Sequence, residues 1–227
     1  YVRNFAALAQ RHRQQSDERR GIRQDIRAAA KEINVTGVRE RAAIVGLEHT
    51  IMRQVGNVPG FFPTPAPLAA EVLEYARPRP GLKWLEPEAG KGNLVLPVRE
   101  FEPHADITCV EINAMLCEVL RQKGFKAIHQ DVLTYHEGSY DRIIMNPAFE
   151  RLHDADAVRH CYGLLADDGI LVSITSPAPY FRSDRKAAEF REWLEPLEHE
   201  LHDLPEGAFK SSERPTGVRT KLLVIYK

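Results

Sequence analysis

Four predicted strands in the middle of this chain, the second of them β-branched, each stop on a polar residue: 82–85 on Glu86, 106–110 on Glu111, 126–130 on Asp131 and 140–145 on Asn146. Segments with apolar residues at helical spacing alternate with them, so the chain reads as a doubly wound α/β sheet. A single acid at a strand end is usually a cap or a solvated turn residue. Three in succession, followed by an asparagine, fit one arrangement much better: an open parallel sheet whose ligand lies outside the carboxyl ends of its strands.

The first of these strands leads into Glu86-Pro87-Glu88-Ala89-Gly90-Lys91-Gly92-Asn93. Gly90 and Gly92 let the backbone approach a ligand closely, and Asn93 is a candidate N-cap for a helix carrying Leu94, Val95 and Val98. The loop is neither a P-loop nor a full Gly-x-Gly-x-x-Gly, and a glycine turn between strand and helix is common. Glu86 would repel a pyrophosphate but suits a ligand carrying an ammonium group. Glu111 is placed to bond both hydroxyls of a ribose. Asp131 can accept from an adenine amine, with Ile112 and Val132 on either face of the ring.

The fourth strand ends in Asn146-Pro147-Ala148-Phe149. An asparagine side-chain oxygen and the carbonyl of Pro147 can each accept one N–H of a planar NH2 group, while the ring of Phe149 covers that group. Pro147 fixes its own φ and restricts Asn146, so both acceptors are held before a substrate arrives. Asn-Pro after a strand is also an ordinary turn, and the clamp reading rests on the acids that precede it.

The order Glu86-Pro-x-x-Gly-x-Gly92, Glu111, Asp131, Asn146-Pro-Ala-Phe149 resembles the class I S-adenosylmethionine-dependent amino methyltransferases, in particular the adenine-N6 DNA methyltransferases of phages and mobile elements. The resemblance covers roughly residues 60–227 and includes Phe61-Phe62-Pro63-Thr64-Pro65, similar to the Phe-x-Thr-Pro element these enzymes place against the cofactor. It implies a seven-strand sheet, six strands parallel and one antiparallel, with S-adenosylmethionine bound by Phe62, Thr64, Glu86, Gly90, Gly92, Glu111, Ile112, Asp131, Val132 and Asn146. It implies catalysis by Asn146, Pro147 and Phe149, with Tyr180 or Phe181 as a second stacking face and Lys210, Arg214 and Arg219 on substrate phosphates. The implied reaction methylates the exocyclic amine of adenine in DNA, with little or short sequence preference because no separate target-recognition segment is visible. RNA base methyltransferases and release-factor glutamine methyltransferases use the same clamp, so an RNA base or a glutamine amide is the alternative substrate. Ala148 stands where the family usually has a second proline, which lowers rigidity without removing an acceptor. A weakly active or inactive scaffold of the same fold is the further alternative.

Residues 58–227 are thus expected to form the methyltransferase domain and residues 1–57 a helical extension, with Ile22, Ile26, Ile33, Ile44, Leu47 and Ile51 at helical spacing. That extension suits packing on the domain, a dimer contact or nucleic acid. Within the domain, Thr64 is expected to cap a helix with Pro65 at its first position, Asp167-Asp168-Gly169 to form the turn before the next strand, and Ser183 or Asp184 to cap a later helix. Residues 1–60 hold 11 Lys and Arg against 6 Asp and Glu, a net of +5 that leaves −6 on the remainder. There is no long apolar run, so no membrane span is expected, and the N-terminus is not signal-like. Cys109, Cys117 and Cys161 lack metal-site spacing and read as buried thiols of a cytoplasmic protein. His199-Glu200-Leu201-His202 is one residue short of a zinc-protease motif and reads as an exposed strand, not a metal site.

Overall fold

The computed structural model describes residue 46, residues 62–210, residues 212 and 217, and residues 219–227. Seven strands, β1 (Lys83–Pro87), β2 (Asp106–Glu111), β3 (Lys126–His129), β4 (Tyr140–Met145), β5 (Leu165–Thr175), β6 (His199–Asp203) and β7 (Lys221–Tyr226), form one sheet in the order β3-β2-β1-β4-β5-β7-β6. Strands β1 to β5 pair in parallel, and β7 runs antiparallel to both β5 and β6. The expected count of six parallel strands and one antiparallel strand therefore holds, with β6 and β7 as a hairpin at one edge.

Alternation along the strands explains why both faces are covered. Ile144 of β4, Val172 and Ile174 of β5 and Leu222 and Val224 of β7 belong to one apolar cluster; Ile143, Met145, Leu171, Leu223 and Ile225 belong to the other. Successive side chains point to opposite faces, so an unbroken apolar strand needs a layer on each side. Helices Ala66–Tyr75 and Leu96–Phe101 supply the first layer through Val72, Leu73 and Val98. Helices His153–Tyr162 and Arg185–Leu194 supply the second through Val158, Cys161, Phe190 and Leu194.

From β1 the chain winds outward to β3 and then returns to place β4 on the other side of β1. This reversal splits the connections to either side and opens a crevice at the carboxyl ends of β1 and β4. Glu86 and Asn146 sit at those two ends.

Several local expectations need correction. Thr64 does not cap the first helix: Pro65 is its N-cap, without a side-chain cap bond. Asn93 caps nothing either, since the next helix starts at Leu96 behind Val95. Residues 167–169, expected as a turn before the fifth strand, lie inside β5, where a register shift against β4 absorbs them. Asp184 does cap helix Arg185–Leu194, accepting from the Ala187 amide at 3.2 Å. His199 and His202 lie on β6, with His202 tilted against the ring of Tyr75 at 4.9 Å. Among the described residues no helix is long and apolar enough to cross a membrane. The N-terminal helical pattern lies outside the described residues except for Gly46, which is helical.

Candidate active site

One cavity opens over the carboxyl ends of β1, β2 and β4, lined among others by Phe62, Thr64, Glu86, Gly90, Glu111, Ile112 and Asn146. Seven residues named from the sequence thus converge on one space. The glycine turn that forms its floor folds back on itself: the Gly92 amide donates to the Ala89 carbonyl at 2.8 Å and the Ala89 amide to the Val110 carbonyl at 2.9 Å. Gly92 has φ of +84°, and a Cβ there would stand 2.9 Å from Leu120 Cδ2. Only glycine satisfies both conditions without strain.

Two carboxylates enclose this turn. Glu111 accepts from the Gly90 amide on one oxygen and the Asn113 amide on the other, both at 2.7 Å. Each oxygen keeps a lone pair for a ligand hydroxyl. Burial pushes the Glu111 carboxyl up from the usual range, against those two donors. Glu86 is 3% exposed, and burial pushes its carboxyl well above the usual range against backbone donors Leu94 and Val95. Its Oε2 has no hydrogen-bond partner among the described residues. A buried, unpaired acceptor on a cavity wall is costly unless a ligand supplies the donor.

On the opposite side the clamp is oriented by its neighbours. Asn146 Nδ2 donates to the Phe62 carbonyl and to Thr64 Oγ1, both at 3.0 Å. A main-chain carbonyl can only accept, so the amide nitrogen must face it and Oδ1 is turned away. Neither Oδ1 nor the Pro147 carbonyl has a hydrogen-bond partner among the described residues. The 62–64 segment is itself held by side chains: Asn93 Nδ2 donates to the Thr64 carbonyl at 2.8 Å and Ser212 Oγ to the Pro63 carbonyl at 2.7 Å.

Other expected site residues lie elsewhere. Asp131 and Val132 do not line the cavity. β3 ends at His129, so Asp131 caps a short turn by accepting from the Leu133 amide at 2.9 Å, and Val132 is buried in the second apolar layer. Ile112 does line the cavity and is 64% exposed. Phe149 is half-buried against the first apolar layer, while Ala148 lines the cavity. The hydroxyl of Tyr180 lies 2.9 Å from Thr175 Oγ1, and its ring packs edge-on to Phe190. Phe181 is 72% exposed. Arg219 is paired with Glu206 at 2.7 Å, Lys210 is exposed, and Arg214 lies outside the described residues.

Four residues contribute to the site in ways their sequence context does not suggest, Asn93 among them, which reads only as a helix cap. Asn93 and Ser212 fasten the 62–64 segment, and their signal was only polarity beside a glycine or proline turn. Glu88 lines the cavity and bonds His153 across 2.6 Å. Residues 65 positions apart carry no local sign of such a pairing.

The described site fits S-adenosylmethionine by the chemistry of its donors and acceptors: acids for ribose and ammonium groups, a glycine turn for close approach, and an apolar lid residue in Ile112. The solved structures it resembles share the fold. A protein from Listeria monocytogenes described as a class I S-adenosylmethionine-dependent methyltransferase superposes with a TM-score of 0.63 at 18% identity, over 87% of this chain and 71% of that one. The M protein of the type I restriction enzyme EcoKI gives 0.61 at 16% identity, over 74% of this chain and 44% of its own, so this chain spans less than half of that protein. The 23S rRNA methyltransferase ErmE gives 0.53 at 20%, over 74% and 70%. No curated protein sequence matches the chain. The methyltransferase domain family matches residues 64–206, which hold both the glycine turn and the clamp, and the chain belongs to that family as an S-adenosylmethionine-dependent methyltransferase.

Proposed function

We propose that this enzyme methylates the exocyclic amino group of adenine in DNA. The observation that carries the reading is the orientation of Asn146, whose amide nitrogen is engaged twice at 3.0 Å, so that Oδ1 is turned away from the 62–64 segment. Oδ1 and the carbonyl of the next residue, Pro147, are the two acceptors that suit a planar NH2 group. S-adenosylmethionine supplies an already activated methyl on a sulfonium. The chain's task is therefore the nucleophile, whose lone pair is delocalised into the base. By accepting both N–H bonds, Asn146 and Pro147 draw the nitrogen toward tetrahedral geometry and stabilise the positive charge that develops on it. Phe149 covers the base, and a duplex substrate must flip its adenine outward to reach the clamp.

Nucleic acid as the substrate class is supported by the Phe62-Pro63-Thr64-Pro65 element and by the basic first 60 residues. The DNA-modifying and rRNA-modifying names among the structural neighbours agree with that class. One observation favours a second reading, a glutamine amide: Arg219 is neutralised by Glu206, and residues 61–227 carry a net −6.

The test is methyl transfer from labelled S-adenosylmethionine to adenine-containing DNA, adenine-free DNA, RNA and release-factor protein in parallel. Label in adenine-containing DNA alone is expected, and Asn146→Ala should lower it by about 10²–10³ fold, the scale for losing one preorganised transition-state partner. Label only in protein would replace adenine with the amide while leaving the clamp chemistry in place.

A further inference from the structure

One side-chain bond joins the cofactor turn to the segment that follows the clamp. His153 Nε2 lies 2.6 Å from Glu88 Oε1, with relative exposures of 26% and 24%. Glu88 lines the cavity between Glu86 and Gly90, at a position the family resemblance leaves open. Its backbone is left-handed, φ +58°, a conformation that disfavours any side chain and would suit glycine better. Its second oxygen, Oε2, is buried without a hydrogen-bond partner among the described residues. The backbone on the His153 side is strained too, with Arg151 at +54° and Leu152 at +58°. Glycine at this position would relieve the backbone and remove the unpaired oxygen, so the acid is kept at a cost in stability.

We propose that Glu88, held by His153, reads the charge of the cofactor and favours S-adenosylmethionine over its demethylated product. This rests on the cofactor and not on the identity of the methyl acceptor. In the transfer the sulfur–methyl bond breaks and sulfur keeps the electron pair. The amine nitrogen bonds the methyl and releases a proton to solvent. The carboxylate therefore faces a sulfonium cation before the reaction and a neutral thioether after it. A fixed negative charge on the cavity wall holds the first and does nothing for the second, so at equilibrium it favours replacement of the product by fresh S-adenosylmethionine.

His153 sets how much charge the pair presents. The hydrogen bond to Glu88 raises the imidazole above its ordinary value, with burial opposing, and Asp131 and Asp156 also face it. Asp156 is itself paired with Lys186. Glu111 and Cys161 face Glu88. When His153 is protonated the pair is neutral; when it loses its proton as pH rises, the pair carries the full carboxylate charge. Preference for the sulfonium therefore grows with pH.

Calorimetric titration of S-adenosylmethionine and S-adenosylhomocysteine, with no methyl acceptor present, reads this directly. For the native protein the ratio of the two affinities should rise between about pH 6 and about pH 9. Glu88→Gln should lower that ratio by about five- to tenfold at the upper pH, the scale of one screened unit charge, and should flatten its rise. His153→Gln should hold the ratio at its high-pH value throughout, and this variant tests the proposal even where Glu88→Gln fails to fold. A native ratio that survives Glu88→Gln within about twofold, or that still follows pH in His153→Gln, overturns the proposal. Failure to methylate adenine has no bearing on either result.

Discussion

Replacing Thr64 by valine isolates the orientation of the clamp from its chemistry. Thr64 is buried, and Oγ1 accepts one of the two N–H bonds of Asn146 Nδ2 at 3.0 Å; the other goes to the Phe62 carbonyl at the same distance. Valine keeps the shape and removes the acceptor, so one of the two restraints on the amide disappears and one N–H loses its partner. The net loss of such a hydrogen bond is about 1 kcal/mol, or roughly fivefold in rate if all of it appears as misorientation of Oδ1. Thr64→Ser keeps the oxygen and should stay near the native rate. Cofactor affinity should change less than the rate in either variant, because the hydrogen bond of the hydroxyl is to Asn146. Single-turnover methyl transfer to adenine-containing DNA measures the rate, and calorimetry measures the affinity. Equal losses in Thr64→Val and Thr64→Ser, or a loss of cofactor affinity as large as the loss of rate, would refute the orienting role of this hydroxyl.

Glu86 should make the cofactor-free protein less stable as pH rises. Its folded-state pKa is raised, so between the unfolded value of about 4.3 and that raised value the native state holds the extra proton, and stability falls as pH climbs through the window. Glu86→Gln should flatten that slope in denaturant titrations while weakening S-adenosylmethionine binding; an unchanged slope would remove Glu86 as its source. Gly92→Ala should cost about 1–3 kcal/mol of stability, since φ is +84° and the new Cβ would press on Leu120. Thermal unfolding at the native midpoint would contradict this.

The strands were legible because β-branched runs and terminal acids are local signals, and Glu86, Glu111 and Asn146 all reach the cavity that their strand ends suggested. Capping departs from residue type where a tertiary acceptor or donor outcompetes the local one. Thr64 and Asn93 are good cap residues by type, yet Thr64 takes the proton of Asn146 and Asn93 gives one to the Thr64 carbonyl. Asp131 does follow its local turn: one carboxylate oxygen accepts from the Leu133 amide two residues on. Tyr180 and Phe181 are adjacent on a helix of only four residues, Ala178–Phe181, and sequence spacing cannot say which face such a short element turns inward. The tie between Glu88 and His153 is long-range and depends on the left-handed turns at both ends.

What assembles the site is the short segment Phe62-Pro63-Thr64. Pro63 within it and Pro65 just after it keep the residues before them out of the helical region, so the carbonyls of 62, 63 and 64 are left outside regular structure. Three side chains from distant parts of the chain use them: Asn146 from the clamp, Ser212 from the C-terminal loop and Asn93 from the glycine turn. At about 1 kcal/mol each these bonds hold the segment on the order of 3 kcal/mol more tightly than packing alone. The same segment lines the cavity through Phe62, Pro63 and Thr64. A ligand that fills the cavity therefore packs against the element that orients Asn146, and under the proposed reaction the binding of the cofactor and the orientation of the amine acceptor share one surface.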